Sequence, residues 1–274
     1  MLDLQALTYL AFGMAFLSLW IHRSAWLWGS FLIIALCLAL NTKTIEPFAL
    51  VPILTLFLLQ FWFKRGVAGL QRWVAFGIAV FVSTALIFHW VPGFCNWKIT
   101  NRFLINFDAP FAGFFVLALN LPLLRSRQQW TQIALKTVPL IVLGIGLMIA
   151  LAMFAGPVSW QPKWPSHLFL RLASNLILVS AAEEGFFRGF VQEELFNRFG
   201  KGAKGHIGAV LLTSIFFTLC HVKWTASFSL LGFVFLAGIL YGAIYQYTKS
   251  IESSILCHFT LNFVHMLFFT YHAI

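Results

Sequence analysis

The chain has 274 residues, of which 61% are hydrophobic and 9% charged. A soluble domain carries about 25% charged residues, so this composition excludes one and implies a polytopic membrane protein. The net charge of +10 comes from Lys and Arg scattered through short connections, a topology signal rather than a nucleic-acid surface. None of the four cysteines is spaced Cys-x-x-Cys, which argues against a disulfide framework or a thiolate metal site.

In chain order, apolar segments long enough to suggest spans run 4–21, 25–41, 47–63, 73–91, 110–124, 137–154, 166–188, 207–221, 228–247 and 255–271. Several are short for a full crossing. The expected fold is therefore an all-α transmembrane helix bundle of about eight to ten spans. Its links are brief and marked by Pro and Gly, as in Glu46-Pro47, Val91-Pro92-Gly93, Ala109-Pro110 and Ala155-Gly156-Pro157. Basic residues gather at Lys64, Arg65 and Arg72, at Arg125, Arg127 and Lys136, and at Arg198, Lys201 and Lys204. These three clusters fall on one side of the bundle, which should be cytoplasmic, with Arg23 in agreement and the N-terminus outside. No basic region or cleavage site opens the chain, and no Cys stands four from its end. A signal peptide and a prenylation target are accordingly not expected. Residues 92–108 mix aromatic and polar side chains like a headgroup-level segment.

Polar chemistry is confined to the last third. Four of the eight acidic residues, Glu183, Glu184, Glu193 and Glu194, lie within twelve positions. An ionisable group in a span costs roughly 2.5–3.5 kcal/mol and is a functional candidate by default. On a helix Glu184 and Arg188 are four apart and can pair; Glu183 points about 100° away and lacks that partner. A second segment ends in Phe217-Thr-Leu-Cys-His221, and a third carries His258-Phe-Thr-Leu-Asn262 with imidazole and carboxamide on one face. His265 lies one further turn along. Glu183 is 17 residues before Gly200, and His221 is 16 after Gly205. Both therefore lie about 25 Å from a hairpin turn at 200–205. His258 would be only about 10 Å deep, unless the connection at 248–254 is re-entrant or the preceding helix is tilted. His22, His89, His167, His206 and His272, near span ends, read as packing or helix-bridging groups. Glu193, Glu194, Arg198, Lys201 and Lys204 read as a solvated helix end.

Glu183-Glu184-Gly-Phe-Phe-Arg188, Phe217-Thr-Leu-Cys-His221 and His258-Phe-Thr-Leu-Asn262 together resemble the motifs of the type II CAAX prenyl endopeptidases and bacteriocin-immunity-type intramembrane proteases, the CPBP or Abi family. The resemblance covers 165–274, a catalytic bundle, and leaves 1–160 as N-terminal helices of unassigned role. It implies that Glu183 and His221 activate water, that His258 and Asn262 form an oxyanion hole, and that Glu184 and Arg188 support them. The substrate it implies is a membrane-associated or lipid-anchored protein or peptide, met within the lipid bilayer of a bacterial cell membrane. No nucleic acid partner and no cofactor are expected.

Two other readings of the residues stay open. Glu183, His221 and His258 could hold zinc with water in a fourth position, although no His-Glu-x-x-His occurs and Asn262 is a poor ligand. A non-hydrolytic transporter or immunity protein could use the same groups to relay protons, yet no matching halves are visible. Gly232, Gly238 and Gly242 would suit close helix packing.

Overall fold

A computed structural model describes residues 3–271 apart from 23, 102, 157, 201 and 226. Arg23, Pro157, Lys201 and His272, named above, lie outside the described residues. In chain order the helices are α1 (Leu4–Ile21), α2 (Ala25–Asn41), α3 (Leu50–Lys64), α4 (Gly69–Ile87), α5 (Phe111–Leu119), α6 (Arg127–Ala155), α7 (Leu168–Ser174), α8 (Ala181–Phe186), α9 (Glu193–Phe199), α10 (Ala203–Cys220), α11 (Phe228–Thr248) and α12 (Ile251–Phe268). Turns of π-helix at Asn175–Ser180 and Phe187–Gln192 flank α8. Four short strands, β1 (Trp97–Thr100), β2 (Phe103–Ile105), β3 (Val158–Trp160) and β4 (Phe269–Tyr271), form two antiparallel pairs, β1 with β2 and β3 with β4. Each of the ten apolar segments contains helix, and the protein is an all-α polytopic bundle. Among the described residues, seven helices are long and apolar enough to cross a membrane, and Ala25–Asn41 is a shorter apolar one.

The chain divides into two compact units, one of Met1–Leu123 with Ile177–Phe186, the other of Leu124–Leu176 with Phe187–Ile274. The first has an aromatic core. Phe12 stacks on Phe111 with centroids 4.7 Å apart, and Phe16 meets Phe114 edge-on at 4.8 Å. Segment 110–124 departs from expectation. Its helix has only nine residues, about 13 Å of rise, and every side chain from Phe111 to Leu117 is buried. A helix apolar on all sides belongs inside a protein, and α5 is a core helix rather than a span. It stops at Asn120, whose Nδ2 donates to the backbone oxygen and to Oε1 of Gln60 at 3.1 and 2.8 Å. Pro122, two residues on, disfavours helix at Leu121. The headgroup-like stretch holds the β1–β2 hairpin, pinned by Tyr9, whose hydroxyl donates to the carbonyl of Ile105 at 2.9 Å.

In the second unit the hairpin foreseen at 200–205 is present. Gly200 takes φ +89°, and a Cβ on Gly205 would lie 2.0 Å from the Gly200 carbonyl oxygen. Only glycine fits so close a turn. The first turn of α12 lies inside the unit, whereas Lys249 just before it is exposed. Ile251 to Ile255 are all buried, and the Glu252 carboxylate accepts from the Leu124 N–H and the Ser250 hydroxyl, both at 2.7 Å. Two expectations are corrected here. Helix α12 ends at Phe268, not 271, because 269–271 pair as β4 with β3. Glu194 is buried rather than solvated, on a helix packed against α10, whereas Arg198 and Lys204 are exposed.

Candidate functional site

In the first unit the two motif acids ride on α8, which lies against α5 at van der Waals distance. A Cβ on Gly113 would come within 1.8 Å of the Ala182 carbonyl oxygen, and one on Gly185 within 2.9 Å of Leu117 Cγ and 3.1 Å of the Gly113 oxygen. Two glycines, one on each helix, therefore set the position of the backbone on either side of Glu183 and Glu184. Glu184 is 0% exposed and Glu183 half-buried. Away from these acids, Asp108 accepts from His89 Nδ1 at 2.6 Å and from the Ala109 N–H at 2.8 Å. That makes His89 a bridging group, as its place near a span end implied.

The second unit gathers Arg188, His221 and His258 around two rings, Phe217 of α10 and Tyr241 of α11. The Arg188 guanidinium, 0% exposed, lies 4.7 Å from the Phe217 centroid and 5.3 Å from that of Tyr241. Arg188 Nη2 donates to the Gly238 carbonyl at 3.0 Å. One turn on, Gln192 Nε2 donates to the Gly242 carbonyl, also at 3.0 Å. A Cβ on Gly242 would sit 2.7 Å from Gln192 Oε1. Residues 188 and 192 thus reach the carbonyls of Gly238 and Gly242 as a two-rung ladder, while the missing Cβ makes room for Gln192 at 242 and for Ser214 at 238.

His258 is 4% exposed and stacks on Tyr241 with centroids 4.7 Å apart and planes 13° apart. Phe217 meets His258 edge-on at 6.1 Å. His221 is the residue that ends α10; its ring lies 4.4 Å from Phe217, and its Nδ1 is 2.7 Å from the Phe217 carbonyl oxygen. A carbonyl can only accept, so Nδ1 carries the proton. Neutral His221 therefore has Nε2 as its proton acceptor. Asn262 Nδ2 donates to Asn175 Oδ1 at 3.4 Å.

The structure thus brings Arg188, His221 and His258 onto one aromatic pair and places Asn262 beside Asn175, while Glu183 and Glu184 belong to the first unit. Sequence reasoning passed over Tyr241, Gln192, Asn175 and Glu252. The Gly238–Gly242 spacing was the one available signal for Gln192; a lone Tyr or Asn in an apolar helix gives none. Among the described residues no three His, Cys, Asp or Glu side chains are grouped as a metal site.

Residues 165–264 match the family model described as type II CAAX prenyl endopeptidase Rce1-like. No curated protein and no solved structure matches the chain. The matched stretch includes all three motifs, from Glu183 to Asn262. The protein is a multi-pass integral membrane protein, and its C-terminal stretch, residues 165–264, is similar to the type II CAAX prenyl endopeptidases, a family of peptidases.

Proposed function

We propose that the protein is an intramembrane endopeptidase in which Glu183 and His221 activate a water molecule and His258 and Asn262 stabilise the oxyanion that its attack creates. The substrate is a membrane-held protein or peptide with a prenylated cysteine near its C-terminus. Glu183 takes the proton of the attacking water as general base. The tetrahedral oxygen receives N–H donation from Asn262 and His258, and the proton passes to the leaving amine. Glu184 and Arg188 support this group. The observation that carries the reading is the tautomer of His221: with Nδ1–H committed to the Phe217 carbonyl, Nε2 is the basic nitrogen. A carbonyl-anchored imidazole is also how zinc-bound histidines are oriented, and the zinc form with Glu183, His221 and His258 is the second reading.

The test is release of the C-terminal tripeptide from an internally quenched peptide ending in S-farnesyl-Cys and three further residues. The enzyme is the purified full chain in lipid nanodiscs. Glu183→Gln keeps the side chain's shape and removes the base, so release should fall to background while the protein still inserts and melts like the wild type. Equal release by wild type and Glu183→Gln rules out the assignment of the base. Cleavage of an unprenylated membrane peptide in place of the farnesylated one rules out the substrate class.

A further inference from the structure

We infer that Asn175 is a positioning residue for the reaction: it holds the carboxamide of Asn262 in the orientation that presents N–H, not oxygen, to the developing oxyanion. The inference rests on the reading of Asn262 as an oxyanion donor.

The two residues are 87 positions apart, on separate helical stretches of the second unit, and Nδ2 of Asn262 donates to Oδ1 of Asn175 at 3.4 Å. Both side chains are half-buried among apolar neighbours in the sequence. A carboxamide in such a place makes a cross-helix hydrogen bond because hydrocarbon offers it nothing else. Asn175 is also the first residue of the π-helical turn Asn175–Ser180. Such turns inside α-helices are frequent at functional sites.

The chemistry explains why an acceptor is needed at this point. A carboxamide has two N–H donors on one arm and a carbonyl oxygen on the other. Rotation of the terminal torsion by half a turn exchanges the arms with almost no change of shape. Only one of the two orientations serves an oxyanion; the other points oxygen at oxygen and raises the barrier. Asn175 Oδ1 accepts one N–H of Asn262 and so selects the arm, leaving the second N–H for the reacting oxygen. An apolar residue at 175 leaves both orientations populated.

Full chain in nanodiscs and the quenched S-farnesyl peptide provide the test, with kcat and KM measured for Asn175→Leu, Asn175→Asp, Asn262→Ala and the Asn175→Leu/Asn262→Ala double variant. Asn262→Ala is expected to lower kcat about 10²–10³-fold. Asn175→Leu is expected to lower kcat about ten- to a hundredfold, the loss that a misplacement of about 1 Å brings, with KM unchanged. Asn175→Asp retains an acceptor oxygen and restores most of that loss. In the Asn262→Ala background Asn175→Leu adds nothing, because it acts only through the amide already removed. Independent, multiplying losses in the double variant overturn the inference, as does a raised KM at constant kcat. Melting temperatures of all four variants separate misfolding from misorientation, and a destabilised Asn175→Asp that fails to rescue counts against the inference. If Asn262→Ala itself keeps the wild-type kcat, the oxyanion reading has failed, and that outcome is distinct from additivity.

Discussion

The two units hold their motif residues by opposite means. In the first, α8 is fixed by backbone meeting backbone, with Gly113 and Gly185 leaving no space for even a methyl group. In the second, Arg188 and Gln192 reach across to α11 through side-chain hydrogen bonds, and aromatic rings separate the charged and imidazole groups. The contrast matters for chemistry. A carboxylate acting as base needs a fixed position, which a rigid glycine contact provides; imidazole and amide groups need fixed orientations, which hydrogen bonds and ring stacking provide.

Glycine substitutions break this comparison hardest. Gly113→Ala puts a methyl group 1.8 Å from a backbone oxygen, whereas Gly238→Ala meets the nearest Ser214 atom at 3.1 Å. Overpacking usually costs about 1–3 kcal/mol, and the larger figure applies where the atom met is backbone and cannot swing aside. Gly113→Ala should therefore lower stability by about 3 kcal/mol or more, and Gly238→Ala by about 1 kcal/mol. Thermal unfolding in detergent ranks the two. Equal losses would show that α8 shifts freely along α5 and that the acids are not rigidly placed.

Next in size come the two rungs of the ladder. Arg188→Met removes a charge-assisted hydrogen bond and the cation–π contacts with Phe187, Phe217 and Tyr241, and should cost about 3 kcal/mol. Gln192→Leu removes one neutral hydrogen bond and should cost about 1 kcal/mol. Denaturant titration of both variants checks the order. A Gln192→Leu variant as damaged as Arg188→Met would mean that the rungs act as one unit rather than as a strong and a weak contact.

How much of this was legible depended on whether a feature is local. Apolar segment positions, the 200–205 hairpin and the three polar motifs follow from spacing within a helix, and all were readable. The π turns around α8 were not, since an i→i+5 ladder has no local composition signature and is imposed by what the helix packs against. The fate of segment 110–124 was hidden for a related reason. Hydropathy reports that Phe111–Leu117 avoid water but not whether lipid or protein covers them. Glu252 falls within the connection read at 248–254 and was passed over; only the fold brings the Leu124 N–H to it. Tyr241 is a plain apolar-helix tyrosine until His258 stacks on it.

The smallest expected effect is that of a chelator, and it sharpens the comparison by asking whether a metal ties the two sets of residues together. A catalytic zinc site takes three protein ligands at about 2.0–2.2 Å from one point and keeps a fourth position for water. We propose that the reaction proceeds without one. Asn262, a neutral donor with no place in a zinc site, is one of the matched motif residues. Treatment with 1,10-phenanthroline should leave tripeptide release unchanged, and elemental analysis should find substoichiometric zinc. Zinc held by only three side chains leaves to a strong chelator in time, so prolonged incubation is informative. One zinc per chain, lost together with activity and restored together with it, would transfer Glu183, His221 and His258 from acid–base and oxyanion roles to metal ligation. It would also predict a mild Asn262→Ala phenotype, the reverse of the 10²–10³-fold loss expected of an oxyanion donor.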